Sequence, residues 1–174
     1  MKSKPLYRIA ITGPESSGKT TLARDLAAYF RTVWVPEYSR EYLESLGRRY
    51  GYEDLEPIAR GQAAGEDRYA LAARRFLFCD TDMLVMKVWA EYRFGRCPSY
   101  ILDALKNRPY DLHVLCSPGI PWEYDPLREN PGEREELYRI YLAELIRMGA
   151  GFIEVDGSPR ERVLQVVGRL SLFE

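Results

Sequence analysis

The stretch "GPESSGKT", Gly13 to Thr20, follows directly on the apolar run Tyr7 to Thr12 and leads into an apolar stripe at Leu22, Leu26 and Phe30. Gly13, Gly18, Lys19 and Thr20 satisfy G-x-x-x-x-G-K-[ST] in the strand, loop, helix setting that gives the motif its meaning. Gly13 and Gly18 let the backbone turn and approach an anion closely. The N–H groups around Glu15 to Lys19 point inward at oxygens, and the N-terminus of the following helix adds its partial positive charge. Lys19 supplies a cation between β- and γ-phosphates, and the Thr20 hydroxyl can ligate Mg²⁺. The loop as a whole, Gly13, Glu15, Ser16, Ser17, Gly18, Lys19, Thr20 and Thr21, reads as a cradle for the phosphates of ATP.

The chain around this loop alternates short β-branched or aromatic runs with longer stretches of helical period, the pattern of βα units wound into a parallel sheet. Strands are expected at Tyr7 to Thr12, Thr32 to Val35, Arg75 to Cys79, Leu112 to Cys116 and Phe152 to Val155. Helical stripes follow at Leu84, Val88 and Tyr92, and at Leu137, Tyr141, Leu145 and Met148. Ser158 is placed to cap a closing helix with Pro159 in its first turn and Val163, Leu164, Val167 and Leu170 inward. Two stretches break the rhythm. Residues 47–65, polar and interrupted by Pro57, are expected to hold helices over the sheet edge. Residues 117–134, "SPGIPWEYDPLRENPGER", carry too many prolines and glycines for regular structure and read as a mobile flap or as a solvated charged loop.

At 174 residues the chain is expected to form one domain over 1–174. Its 25 basic and 26 acidic residues nearly balance, so no global charge draws it to nucleic acid or to anionic lipid. No apolar run approaches the roughly 18 residues a membrane span needs. Cys79, Cys97 and Cys116 are odd in number and lack C-x-x-C spacing, which predicts free thiols in a reducing cytoplasm. Self-association is left open.

A magnesium site also needs a carboxylate. "RFLFCDTD" offers Asp80 at the carboxyl end of a buried strand, where a doubly wound sheet gathers its ligands. One of Asp80 and Asp82 is expected to cap the helix that starts near Met83, with Asp80 the residue for the metal. The acceptor is sought in "VWVPEYSREYL", where Glu37 stands on the same rim as the loop and can take a hydroxyl proton or hold a sugar diol. Arg40 shares its face if a helix has begun, and the two could equally form a surface ion pair.

"GPESSGKTTLA", "VWVPEYSREYL", "LFCDTD", "KVWAEYRFG" and "IPWEYDPLRE", in that order and over nearly the whole chain, resemble the ribosylnicotinamide kinase domain of the NadR family and its stand-alone relatives. The resemblance implies an α/β fold of the P-loop NTPase type: a three-layer sandwich with a five-stranded parallel sheet, of nucleoside and nucleotide kinase form, with a lid loop at about 117–134. It implies transfer of the γ-phosphate of ATP to the 5′-hydroxyl of nicotinamide riboside, giving nicotinamide mononucleotide. By position it carries over Gly13 to Thr20 as the phosphate loop, Glu37 as the acidic residue after the second strand, Asp80 and Asp82 as the D-T-D aspartates, with Asp82 expected beside Glu37 and Arg40 on the substrate side, and Arg128 as the flap arginine. Arg134 is a second arginine placed to swing in with the flap. NadR proteins also contain a nucleotidyltransferase domain, for which this chain is not expected to have room.

In that family a tryptophan that stacks on nicotinamide stands immediately before the Glu-Tyr pair; here that position is Pro36. Trp34 and Trp122 are the substitutes considered for ring contact, and both could equally be packing aromatics. Two other readings stay open. A nucleoside monophosphate kinase would need arginines for an acceptor phosphate, and Arg40, Arg60 and Arg68 are available. A non-catalytic ATP-binding switch needs no acceptor site; a guanine-reading N-K-x-D motif is absent.

Overall fold

The computed structural model describes residues 5–173. Five strands form one sheet: β1 (Tyr7–Thr12), β2 (Trp34–Val35), β3 (Phe76–Asp80), β4 (Leu112–Cys116) and β5 (Phe152–Val155). All neighbours are parallel, in the order β2-β3-β1-β4-β5. The helices are α1 (Lys19–Phe30), α2 (Tyr38–Ser45), α3 (Leu55–Ala70), α4 (Met83–Phe94), α5 (Ser99–Asn107), α6 (Arg134–Met148) and α7 (Pro159–Leu170).

Strand alternation divides the sheet between two helical layers. Ile9 and Ile11 of β1, Phe76 and Phe78 of β3 and Leu112 and Val114 of β4 face Leu22 and Leu26 of α1 and Val166 and Leu170 of α7. On the other face Leu115 packs with Leu84 and Val88 of α4 and Leu137, Tyr141 and Leu145 of α6. A further cluster joins Leu55, Ile58 and Ala59 of α3 to Met83 and Met86 of α4 and Ile101 of α5. Because β1 has β3 on one side and β4 on the other, the crevice beyond its carboxyl end is the topological switch point, and the phosphate loop leaves β1 there.

The sequence-derived strands hold, with two adjustments. β2 is confined to Trp34–Val35, because Thr32 turns its hydroxyl to the Phe76 carbonyl at 2.8 Å and accepts from the Arg74 amide at 2.8 Å instead of entering the ladder. β3 starts one residue late, after Arg75 at a φ of 58°, and runs through Asp80. Residues 47–65 hold a short 3₁₀ turn, Tyr52–Asp54, and the start of α3. Pro57 falls in the first turn of α3, where its missing N–H would have had no helical partner. Helix α5 has no counterpart in the sequence reading, since its nine residues bury little beyond Ile101 and Ala104.

The closing helix has the expected cap: Ser158 Oγ accepts from the Glu161 amide, and the Glu161 carboxylate accepts from the Ser158 amide at 2.7 Å. Its inward stripe contains Val166, whereas Leu164 is 54% exposed. Cys79 and Cys116 are buried free thiols, and Cys97 is half-buried. Among the described residues no helix is long and apolar enough to cross a membrane.

Candidate active site at the phosphate loop

Gly13 is imposed by packing: at a φ of 141°, a Cβ there would stand 2.9 Å from the Cys116 carbonyl oxygen at the end of β4. Gly18 takes a left-handed conformation just before α1, so the helix opens with no side-chain cap and its first amides face the loop. Lys19 Nζ donates to the carbonyls of Gly13 and Pro14 at 3.0 and 2.8 Å, which holds the ammonium across the mouth of the loop. From behind, Arg162 of α7, 3% exposed, donates to the carbonyls of Ser17 (2.6 Å), Ser117 (3.1 Å) and Gly157 (3.0 Å). This fixed guanidinium adds positive charge beneath the loop.

Thr20 Oγ1 donates to Asp80 Oδ2 at 2.6 Å, and Asp80 is 1% exposed. Its second oxygen, Oδ1, has no hydrogen-bond partner among the described residues. Burial, and then the nearby Glu37 carboxylate, push the Asp80 carboxyl up to about 6; Thr20, Lys19 and Arg40 pull the other way. A buried, half-satisfied carboxylate beside a hydroxyl is a hard oxygen donor set, and it suits an ion such as Mg²⁺ that keeps several waters and is completed by substrate phosphates. No cluster of three His, Cys, Asp or Glu side chains able to cage a metal occurs among the described residues.

The turn between Asp80 and Asp82 is strained. Thr81, β-branched, sits at a φ of 76°. That kink sends Asp80 toward the loop and turns Asp82 back to cap α4. Gln62 of α3 braces the arrangement: its Oε1 accepts from the Tyr38 amide at 2.9 Å and its Nε2 donates to the Thr81 carbonyl at 3.3 Å. One side chain therefore ties the residue after Glu37 to the residue after Asp80. Gly61 makes room for the same junction, because a Cβ there would collide with the Tyr38 ring.

Glu37 precedes α2 and lines a cleft of about 440 Å³ that continues from the phosphate loop. Its Oε1 accepts from Ser39 Oγ at 2.7 Å. The cleft's apolar and aromatic lining includes Leu43, Val85, Trp89, Tyr92 and Tyr141, with Arg40 and Arg93 among its charges. Residues 117–133 fold over the loop without regular structure. There Glu15 accepts from the amides of Glu129 and Asn130 at 3.1 and 2.9 Å, Arg128 Nη1 donates to Ser16 Oγ at 3.3 Å, and Arg134 Nη1 donates to the Ser16 carbonyl at 3.1 Å. Burial raises the Glu15 carboxyl against the pull of those amides.

Residues 8–162 match the family described as AAA domain. The chain is 31% identical over 161 residues to the trifunctional NAD biosynthesis/regulator protein NadR of Escherichia coli (strain K12), covering 88% of this chain and 39% of that protein. Its fold superposes on that of NadR protein in complex with NR with a TM-score of 0.78 at 21% identity, covering 94% of this chain and 51% of the other. For NadR protein in complex with NAD and AMP-PNP the TM-score is 0.74 at 22% identity, covering 97% and 49%. The chain belongs to the AAA domain family, with the fold of the P-loop kinases and similarity to NadR over most of its length. It spans well under half the length of the E. coli protein and about half of each solved NadR chain.

In this domain the loop residues Gly13, Glu15, Ser16, Ser17, Gly18, Lys19, Thr20 and Thr21 all line the cleft, as do Glu37, Arg40 and Arg128. Three expectations for the acceptor side are corrected. Asp82 is fully buried, with Oδ1 accepting from the Val85 amide at 2.9 Å and Oδ2 accepting from Thr12 Oγ1 at 2.9 Å and lying 3.3 Å from His113 Nε2. It caps α4 and has no face left for substrate. Trp34 packs into the α1 and α7 layer, because alternation along β2 sends it to the face opposite Val35. Trp122 does not line the cleft; the guanidiniums of Arg134 and Arg128 lie 5.6 and 5.9 Å from its ring centroid, so it serves as their platform.

Arg40 pairs with Asp125 of the lid at 2.8 Å and with Glu44 at 3.9 Å instead of with Glu37. Arg60 is held by Glu56 and lies over the Tyr100 ring, and neither it nor Arg68 lines the cleft. Trp89, Gln62 and Arg162 were not singled out from sequence. Trp89 could have been found, since it stands in "KVWAEYRFG" one residue after a core position of α4.

Proposed function

We propose that this domain transfers the γ-phosphoryl group of ATP to the 5′-hydroxyl of nicotinamide riboside, giving nicotinamide mononucleotide. The observation that carries the reading is the shared lining of one cleft: the phosphate loop, the Glu37 carboxylate and the aromatic side chains of Trp89, Tyr92 and Tyr141 all border it. A cleft of about 440 Å³ lies in the range that encloses a small molecule. Similarity to NadR protein in complex with NR and with AMP-PNP supports both substrates.

Phosphoryl transfer asks a protein mainly for position and charge. The loop amides and Lys19 would hold the β- and γ-phosphates while Arg162 keeps the loop carbonyls turned away. Glu37 would orient the attacking hydroxyl and accept its proton as the new P–O bond forms and the bond to the β-phosphate oxygen breaks. Arg128 and Arg134, stacked on Trp122, would neutralise charge on the moving group, and the lid would exclude water. Thr20 and Asp80 would hold Mg²⁺, which when bound neutralises phosphate charge. Trp89 supplies the flat apolar surface that Pro36 does not.

A second reading has one observation behind it. Arg40 and Arg93 bring two cations to the acceptor chamber, where the phosphate of a mononucleotide could sit. A panel of nucleosides and mononucleotides with ATP and Mg²⁺, read by product mass, decides between them. Nicotinamide riboside is expected to be the fastest acceptor. A mononucleotide or another nucleoside turned over much faster would overturn the named substrate.

A further inference from the structure

Glu129 of the lid is bound from two directions. Its carboxylate accepts from the Tyr50 hydroxyl at 2.6 Å, and its backbone amide donates to Glu15 of the phosphate loop at 3.1 Å. Tyr50 in turn accepts from Trp89 Nε1 at 3.0 Å, with the two rings 5.1 Å apart and inclined at 62°. A hydrogen-bonded line therefore runs from the aromatic wall of the acceptor chamber, through Tyr50 and Glu129, to the loop that holds phosphates. Arg128 is the residue next to Glu129, so a change at this joint moves the arginine that reaches Ser16. Arg93, which also lines the cleft, lies 4.0 Å from the same Glu129 carboxylate and adds charge to the joint.

These links lie outside the sheet and its ladder. Tyr50 lies between α2 and α3, outside the sheet, and residues 117–133 have no regular structure. The links join four segments far apart in sequence: the cleft-lining Trp89 to Tyr50, Tyr50 to the lid, and the lid to the loop. A single closed arrangement satisfies them all, whereas an open lid would break the Tyr50 and Glu15 contacts together. Such a line of contacts would let occupancy of one half of the cleft bias the other, if the lid has an open arrangement beside this closed one.

We propose that Tyr50 and Glu129 are positioning residues that couple the acceptor chamber to the nucleotide loop, so that nucleotide at the loop orders the Trp89 wall and acceptor at Trp89 brings Arg128 onto the phosphates. In its acceptor half the proposal rests on the nucleoside kinase reading. The coupling itself needs only a ligand at the loop. Its consequence for the reaction is suppression of transfer to water: with both halves of the cleft occupied the closed lid holds Arg128 most firmly, and with the acceptor missing that hold is weaker.

The test uses the full chain labelled with 5-fluorotryptophan, whose Trp89 resonance is assigned by its loss in Trp89→Phe. Magnesium with a non-hydrolysable ATP analogue is expected to shift that resonance in the parent. In Tyr50→Phe the resonance should stay put although the analogue binds within about twofold of the parent by calorimetry. Glu129→Ala, which removes the carboxylate and keeps the backbone amide, should behave alike, and it serves if Tyr50→Phe fails to fold. In parallel, saturating nicotinamide riboside is expected to tighten analogue binding at least threefold in the parent and to leave it unchanged in either variant.

A parent resonance indifferent to nucleotide, or a shift or a tightening that persists at parent size in both variants, overturns the proposal. If the resonance behaves as expected while nicotinamide riboside is neither bound nor phosphorylated, the coupling stands and the named acceptor falls.

Discussion

The Thr20 hydroxyl and the Asp80 carboxylate, sixty residues apart in the chain, meet at 2.6 Å where the phosphate loop passes the end of β3. The strained Thr81 and the bracing Gln62 hold Asp80 there, and its free oxygen is buried. Removing either member of the pair should weaken the hold on the ion without dismantling the loop. Thr20→Ala and Asp80→Asn are each expected to raise the Mg²⁺ concentration for half-maximal turnover by about 10-fold or more. Magnesium titrations that overlay the parent curve for both variants would contradict the assignment.

Glu37 is braced by Ser39 and faces the chamber rather than Arg40, whose own partner is Asp125. Glu37→Gln keeps the shape and removes the carboxylate proposed as the base. Turnover should fall about 10²- to 10⁴-fold while the KM for ATP changes little. A parallel loss of ATP affinity would mark a structural role instead.

The two tryptophans should separate cleanly. Trp89→Ala, at the chamber wall, is expected to raise the acceptor KM more than it lowers kcat, by the roughly 1–3 kcal/mol of a lost base stack. Trp34→Phe, in the α1 and α7 layer, should lower thermal stability and leave the acceptor KM alone. Comparing the two KM values checks both assignments at once.

Asp54 anchors the segment that carries Tyr50. It accepts from Tyr42 (2.8 Å), both Arg48 Nη groups (2.7 and 2.8 Å) and the Gly51 amide (2.8 Å). The Arg48 guanidinium, followed by the Gly51 and Tyr42 donors, outweighs burial and holds the Asp54 carboxyl down at about 2, below its ordinary 3.8. A lowered folded-state pKa means that the unfolded chain binds the proton more readily. The stabilisation is therefore complete above about pH 4 and is lost as the pH falls toward 2. Asp54→Ala should cost about 2–4 kcal/mol near neutral pH, with the gap from the parent closing in acid. Thermal melts across pH 2.5 to 7 measure it; a gap independent of pH would contradict the mechanism.

The sheet and the loop were legible because both are local. A strand announces itself by its own apolar residues, and Gly13, Gly18, Lys19 and Thr20 lie within eight positions. The ends of β2 and β3 shifted because Thr32 and Arg75 make backbone and hydroxyl contacts that propensity does not register. Asp80 and Asp82 could be named as a pair, but their division between metal and cap depends on the φ of Thr81.

The acceptor side was harder to read. Trp89 stands beside the Leu84 and Val88 stripe of α4, and it is the cleft, made by α2, α4 and the lid together, that gives it a role. Gln62 and Arg162 act on backbone groups of distant segments, so nothing in their own neighbourhood marks them. Helix α5 escaped because a short helix with two buried side chains leaves a faint period.

The proposed function requires the cleft to bring a phosphate donor to a nucleoside hydroxyl. The most direct measurement is the rate of ADP formation by the parent protein with ATP and Mg²⁺, with and without nicotinamide riboside, alongside the mass of the product. ADP formation is expected to depend on the nucleoside, with one nicotinamide mononucleotide per ADP, and both are expected to be lost in Lys19→Ala. ADP released at the same rate with no acceptor present, and no phosphorylated nucleoside, would contradict it.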